Sequence, residues 1–171
     1  MILTIINLIF AVILGVNPTT EAPVAVSKFA KTEDAKLLKI AKKQLLVGES
    51  EYSREILEYL LKRNPENAEY NYQLGRNIYF TVTKNAKAIP YLETAVQNCK
   101  NDTMGDVFYM LGDLYQQQKE YDKAIEAFTN MKRFTKSNAA GRALYAELNT
   151  RIAKCKKAKS KAVSTGEIVV R

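Results

Sequence analysis

The 171-residue chain has no histidine and no tryptophan, and only two cysteines, four prolines and seven glycines. Without histidine there can be no Ser-His-Asp or Cys-His nucleophile pair, no His-ligated zinc and no imidazole general base. Cys99 and Cys155 are too few for a disulfide scaffold and lack CxxC spacing, so each reads as a small hydrophobe in an apolar helical context. No Gly-rich phosphate loop and no metal-ligand spacing occurs, and no residue set can be given the roles a reaction needs. These absences point away from an enzyme and imply no cofactor. What the chain does have is 47% hydrophobic residues, enough for one core at a length that suits one domain.

The formal charge of +8 is unevenly placed. Residues 1–30 balance Lys28 against Glu21, residues 31–150 carry 18 basic and 16 acidic side chains, and residues 151–171 carry seven basic ones against Glu167. The body is nearly neutral, and the basicity belongs to the tail. Five lysines between Lys154 and Lys161 are first explained as the solvated face of a closing helix. The alternative is binding to anionic lipid or nucleic acid. The stretch has no arginine and no interleaved aromatic, which disfavours nucleic acid and leaves anionic lipid as the better match.

Met1 to Val16 holds no charge, with Thr4 and Asn7 its only polar side chains. It is short of the roughly 20 apolar residues that cross a bilayer and has the length of a signal-peptide apolar region. The expected organisation is a signal peptide or N-terminal anchor over 1–22, a linker over 23–31, a helical domain over 32–162 and a C-terminal tail over 163–171. The β-prone EIVV of that tail can open a further domain, since one four-residue strand is not stable alone.

Within 32–162 the apolar pattern is helical, with Pro65 at a boundary and Pro90 an interior exception, and it repeats. Phe108 is followed by Leu111, Gly112 and Tyr115, then by Ala124, Phe128 and Met131. An earlier copy has Leu74, Gly75 and Ile78, then Ala88, Leu92 and Ala95; the first has Ile40 and Ala41, then Ser53, Leu57, Leu60 and Pro65. The anchors Ile40, Leu74 and Leu111 are spaced 34 and 37, and Ser53, Ala88 and Ala124 are spaced 35 and 36. Small residues at Gly75, Gly112, Ala88 and Ala124 let two backbones approach, while Leu92, Tyr115 and Phe128 fill the space beside them. Asn64, Asn67, Ser137 and Asn138 offer capping oxygens. Tyr145, Leu148, Ile152, Cys155 and Ala162 fall on one helical face, with Lys154, Lys157 and Lys161 opposite.

This spacing resembles the tetratricopeptide repeat, with Phe108 where the repeat has tryptophan. The fold it implies is all-α, a solenoid of three helix-turn-helix repeats closed by a C-terminal capping helix. The order of repeats, with the closing run RIAKCKKAKSKA and a β-prone start, further resembles the amino-terminal repeat region of Gram-negative OmpA-family envelope proteins that also carry a β-propeller. That resemblance implies an exported, non-enzymatic adaptor, periplasmic or attached to the outer membrane, whose partner is another envelope protein rather than a small molecule. Membrane association would run through the N-terminal segment or Lys154–Lys161.

Tetratricopeptide arrays bind through a concave wall built from the first helix of each pair. Positions two before the Leu-type anchor, and two and five after it, should face that wall. They are Leu38, Lys42 and Leu45, then Tyr72, Arg76 and Tyr79, then Tyr109, Asp113 and Gln116. Tyrosine and arginine are residue types that anchor protein partners. Leu38 stands where the chaperone-binding members have the first lysine of a carboxylate clamp, so that mode is not implied here.

Overall fold

A computed structural model describes residues 28–81, 86–99 and 105–166. The chain divides into two compact units, 1–32 and 33–171. The described part of the first is a turn in which Thr32 N–H donates to the Phe29 carbonyl at 2.9 Å. The opening apolar run, the candidate cleavage region and the EIVV tail lie outside the described residues.

The second unit contains seven helices between Asp34 and Ser164 and, among the described residues, no strand: α1 Asp34–Leu46, α2 Ser50–Arg63, α3 Ala68–Thr81, α4 Ala88–Asn98, α5 Gly105–Gln117, α6 Tyr121–Lys132 and α7 Ala139–Ser164. The first six pack as α1 with α2, α3 with α4 and α5 with α6. Each pair joins the next through α2 on α3, α4 on α5 and α6 on α7, while α1, α3 and α5 lie side by side.

The pairing follows from residue size. A Cβ added at Gly112 would lie 2.5 Å from Phe128 Cε1, and one at Gly75 would lie 2.7 Å from Leu92 Cδ2. Phe128, Leu92, Ala88 and Ala124 are fully buried, so each pair closes on the glycine of its first helix. In the first pair Ala41, Ser53 and Leu57 hold the equivalent positions and are equally buried. Each fully buried leucine here, such as Leu57, Leu60 or Leu92, contributes about 1.5–3 kcal/mol by leaving water.

Capping is more selective than the sequence suggests. Asn67 Oδ1 accepts from Tyr70 N–H at 3.1 Å and Asn138 Oδ1 from Gly141 N–H at 2.8 Å, each satisfying a free amide of a first helical turn. Asn64 instead ends α2, with its N–H on the Leu60 carbonyl at 3.0 Å, and Ser137 offers its carbonyl to Arg142 at 2.7 Å. Pro90 is not an interior exception. It sits in the first turn of α4, where its missing N–H would have had no helical partner.

After the third pair comes the single helix α7. α7 carries its burial at Gly141, Leu148, Cys155 and Ala162, one stripe facing the preceding pair. Two sequence expectations are corrected: Tyr145 is 44% exposed and Ile152 only half-buried. Tyr145 lies away from the stripe, with Lys132 Nζ 4.3 Å from its ring centre. Side-chain bonds link α5 to α7 at an offset of 38 residues. Next to buried Leu148, the side chains of Asn149, Thr150 and Ala153 are all exposed. α7 packs its buried stripe on α6 and leaves these polar or small residues in solvent, as a capping helix does. The helix continues to Ser164, two residues past the expected boundary, before Thr165 N–H turns back to the Lys161 carbonyl at 3.0 Å.

Candidate partner-binding wall

α1, α3, α5 and α7 set their exposed side chains along one wall, and neighbouring helices are cross-linked there. Tyr72 Oη donates to Asp106 at 2.7 Å and Tyr79 Oη to Asp113 at 3.1 Å, each across 34 residues, from α3 to α5. Tyr109 Oη donates to Glu147 at 2.8 Å across 38 residues, from α5 to α7. Arg151 returns from α7, with one guanidinium nitrogen on Asp113 at 2.8 Å and Nε on Glu147 at 3.0 Å. On α1, Lys42 Nζ reaches Glu69 of α3 at 2.5 Å. The offsets of 34 and 38 residues lie close to one repeat because successive first helices stack side by side.

The expected wall residues therefore divide into two kinds. Tyr72, Tyr79, Tyr109, Lys42 and Asp113 are committed to holding the wall together, with Asp113 accepting also from Gln117 at 2.9 Å. Leu38, Leu45, Arg76 and Gln116 are half-buried and outside that network. Arg76 stacks its guanidinium 5.7 Å from the centre of the Phe80 ring, and its Nε finds no acceptor among the described residues. Phe80 is 64% exposed, a large apolar surface beside that cation. The buried Oε1 of Gln116 likewise has no donor among the described residues.

Sequence reasoning named Lys42, the three tyrosines and Asp113 but missed their partners Glu69, Asp106, Glu147 and Arg151. The signal was a shared offset, since Asp106 and Asp113 each follow their tyrosine by 34 residues. The carboxylates of Asp106 and Asp113 each accept from a tyrosine hydroxyl of α3.

The electrostatics fix the protonation pattern. Burial, reinforced by the bond to Asp113, pushes the Tyr79 phenol up to about 12. Burial and the Asp106 bond push Tyr72 up as well, and burial with the Glu147 bond does the same to Tyr109. The hydrogen bonds from Tyr109 and Arg151 hold the Glu147 carboxyl below its usual range. At neutral pH the phenols thus stay protonated and donate to carboxylates, giving charge-assisted bonds. A tyrosine serving as nucleophile or base needs the opposite shift. Among the described residues no group of three or more acidic or cysteine side chains could hold a metal ion.

A tetratricopeptide-repeat family model matches residues 105–130, which span most of α5 and α6. The fold is a tetratricopeptide solenoid. Among solved structures, PcrH in complex with the chaperone-binding region of PopD superposes with a TM-score of 0.58 at 16% identity, over 73% of this chain and 92% of that one. Two crystal structures of MamA superpose at 25% identity, one with a TM-score of 0.54 over 84% of this chain and 82% of that one. The other has a TM-score of 0.53 over 81% and 87%. No curated protein matches by sequence. The tetratricopeptide solenoid is a protein-interaction scaffold, and that architecture points to a non-catalytic role.

Proposed function

We propose that the chain is a non-enzymatic adaptor that captures a segment of another protein along the wall formed by α1, α3, α5 and α7. The observation that carries this reading is the state of Arg76: a half-buried cation at the middle of the wall, stacked on an exposed phenylalanine, with no acceptor for its Nε among the described residues. Around it Tyr72, Tyr79 and Tyr109 are locked by their hydroxyls, so their ring faces are presented without further ordering cost. Leu38, Lys42, Asp113 and Gln116 complete the contact set. The PcrH structure, solved with a bound region of PopD, is a precedent within this fold for holding a partner segment.

The partner we propose is another cell-envelope component, with the chain itself exported to the periplasm or the outer membrane. This rests on the uncharged run Met1–Val16 and on the resemblance of residues 30–171 to envelope repeat regions. Mass spectrometry of fractionated native cells tests it: loss of the first ~15–25 residues from an envelope fraction is expected, and intact chain in the cytoplasm overturns it.

The wall is tested by a photo-crosslinking residue placed at Gln116 or, for comparison, at exposed Glu58 on α2. Crosslinks are expected from Gln116 and not from Glu58. Arg76→Ala should weaken capture about tenfold or more, the loss expected of an arginine anchor, while melting stays within about 1 kcal/mol of the parent. Capture unchanged by Arg76→Ala, with crosslinks confined to Glu58, would place the interface elsewhere.

A further inference from the structure

The C-terminal half of α7 carries a charge arrangement that closing the solenoid does not use. Lys154, Lys157 and Lys161 follow the i, i+3, i+7 spacing of one helix face, opposite the buried Cys155–Ala162 stripe, and all three are exposed, as is Lys156 beside them. Among the described residues no acceptor engages these four side chains. Lys159, by contrast, is held by Asp122 at 2.6 and 2.8 Å. No acidic residue occurs between Leu148 and Gly166, so nothing on the helix itself neutralises the row. The row covers about 11 Å of helix axis on the side of α7 opposite its buried stripe.

We propose that this lysine row is a docking face for an anionic lipid surface. Three ammonium groups on one face of a rigid helix can meet a plane of phosphate headgroups together, and each works as a compact point charge that needs no shaped pocket. The face offers neither an aromatic for base stacking nor an arginine for bidentate phosphate recognition, so a lipid plane suits it better than a nucleic acid. The row uses none of the wall residues. Its failure leaves the adaptor reading untouched, and failure of the wall leaves the row untouched.

The test is co-sedimentation of the full chain with vesicles of phosphatidylcholine alone and of phosphatidylcholine and phosphatidylglycerol in equal parts, over rising salt. Apolar insertion by any part of the chain scores equally on the two vesicles, so the difference between them reads the charge-driven binding. The expected result is binding that needs phosphatidylglycerol and falls with salt. Combined Lys154→Gln, Lys157→Gln and Lys161→Gln should weaken it about 100-fold, at roughly 5-fold per lysine. Lys36→Gln, Lys39→Gln and Lys43→Gln, which remove equal charge from the exposed face of α1, should leave most of it intact. Glutamine keeps helix propensity, and circular dichroism checks that both variants fold. Equal losses from the two triple variants would reduce the effect to net charge and overturn the proposal. So would equal binding to both vesicles, or retention on RNA in preference to phosphatidylglycerol vesicles.

Discussion

The first and third helix pairs have one architecture built from different residues. In the third, a glycine receives a phenylalanine, Gly112 against Phe128, with Ala124 beside them. In the first, Ala41, Leu57 and Ser53 hold the corresponding places. A smaller residue on one helix is matched by a larger one on the other, so the close approach is preserved while the identities drift. The turns show the same economy. Glu49 N–H reaches back to the Gln44 carbonyl in the first pair and Glu120 N–H to that of Tyr115 in the third, both at 2.9 Å. The left-handed residue of the first turn is Gly48, at φ +87°, and that of the third is Lys119, at φ 61°. The pairs also differ in polar satisfaction. The Ser53 hydroxyl is fully buried and has no hydrogen-bond partner among the described residues, at a position where the later pairs have alanine.

The largest effect expected is at the third pair's contact. Phe128→Ala should cost about 3–5 kcal/mol and Gly112→Leu about 1–3 kcal/mol by overpacking. Together they should cost less than their sum, because the vacated ring space can take the new side chain. Thermal melts of the two single variants and the double variant decide this, and strict additivity would show that the two residues do not share one contact.

Exchanging the turn residues sharpens the comparison next. Gly48→Ala should destabilise by about 1–2 kcal/mol, the cost of a Cβ in the left-handed region, whereas Lys119→Gly should stabilise by a fraction of that. Chemical denaturation of both variants checks the opposite signs.

Ser53→Ala should raise stability by about 1 kcal/mol, by removing a buried hydroxyl that gains no bond in the folded chain. The same denaturation measurement reads it. A loss instead would show that the hydroxyl contributes to the first pair, and that pair would no longer be the poorer copy.

The smallest effect concerns the wall. The folded Tyr79 phenol is raised from 10.0 to about 12, so its stabilising contribution is complete below pH 10 and is lost as pH climbs from 10 towards 12. Tyr79→Phe should lower the melting temperature slightly at neutral pH and flatten its decline across that alkaline window. An unchanged alkaline slope would mean that Tyr79 does not hold α3 to α5 in solution.

Phe108, Leu111, Gly112 and Tyr115 made the third pair legible in the sequence, and the spacing to Leu74 and Ile40 carried the register back to pairs with fewer of those residues. Helix face and small–large complementarity are encoded within one or two turns of chain, so a linear pattern reveals them. The wall positions followed from the same register. Their pairing did not, because Tyr109 reaches Glu147 and Arg151 reaches Asp113 only once whole helices have stacked.

The sequence by itself therefore determined the helices, their pairing into repeats, the buried small residues and the helix that ends the array. All of these depend on periodicity and side-chain volume, which are local properties. Only the tertiary structure decided that Tyr72, Tyr79 and Tyr109 spend their hydroxyls on neighbouring helices, that Tyr145 turns outward, and that Lys154, Lys157 and Lys161 find no acceptor among the described residues while Lys159 is taken. A hydrogen bond needs its partner within about 3 Å, and distances between residues 34 or 38 apart in the chain are set by how one repeat stacks on the next.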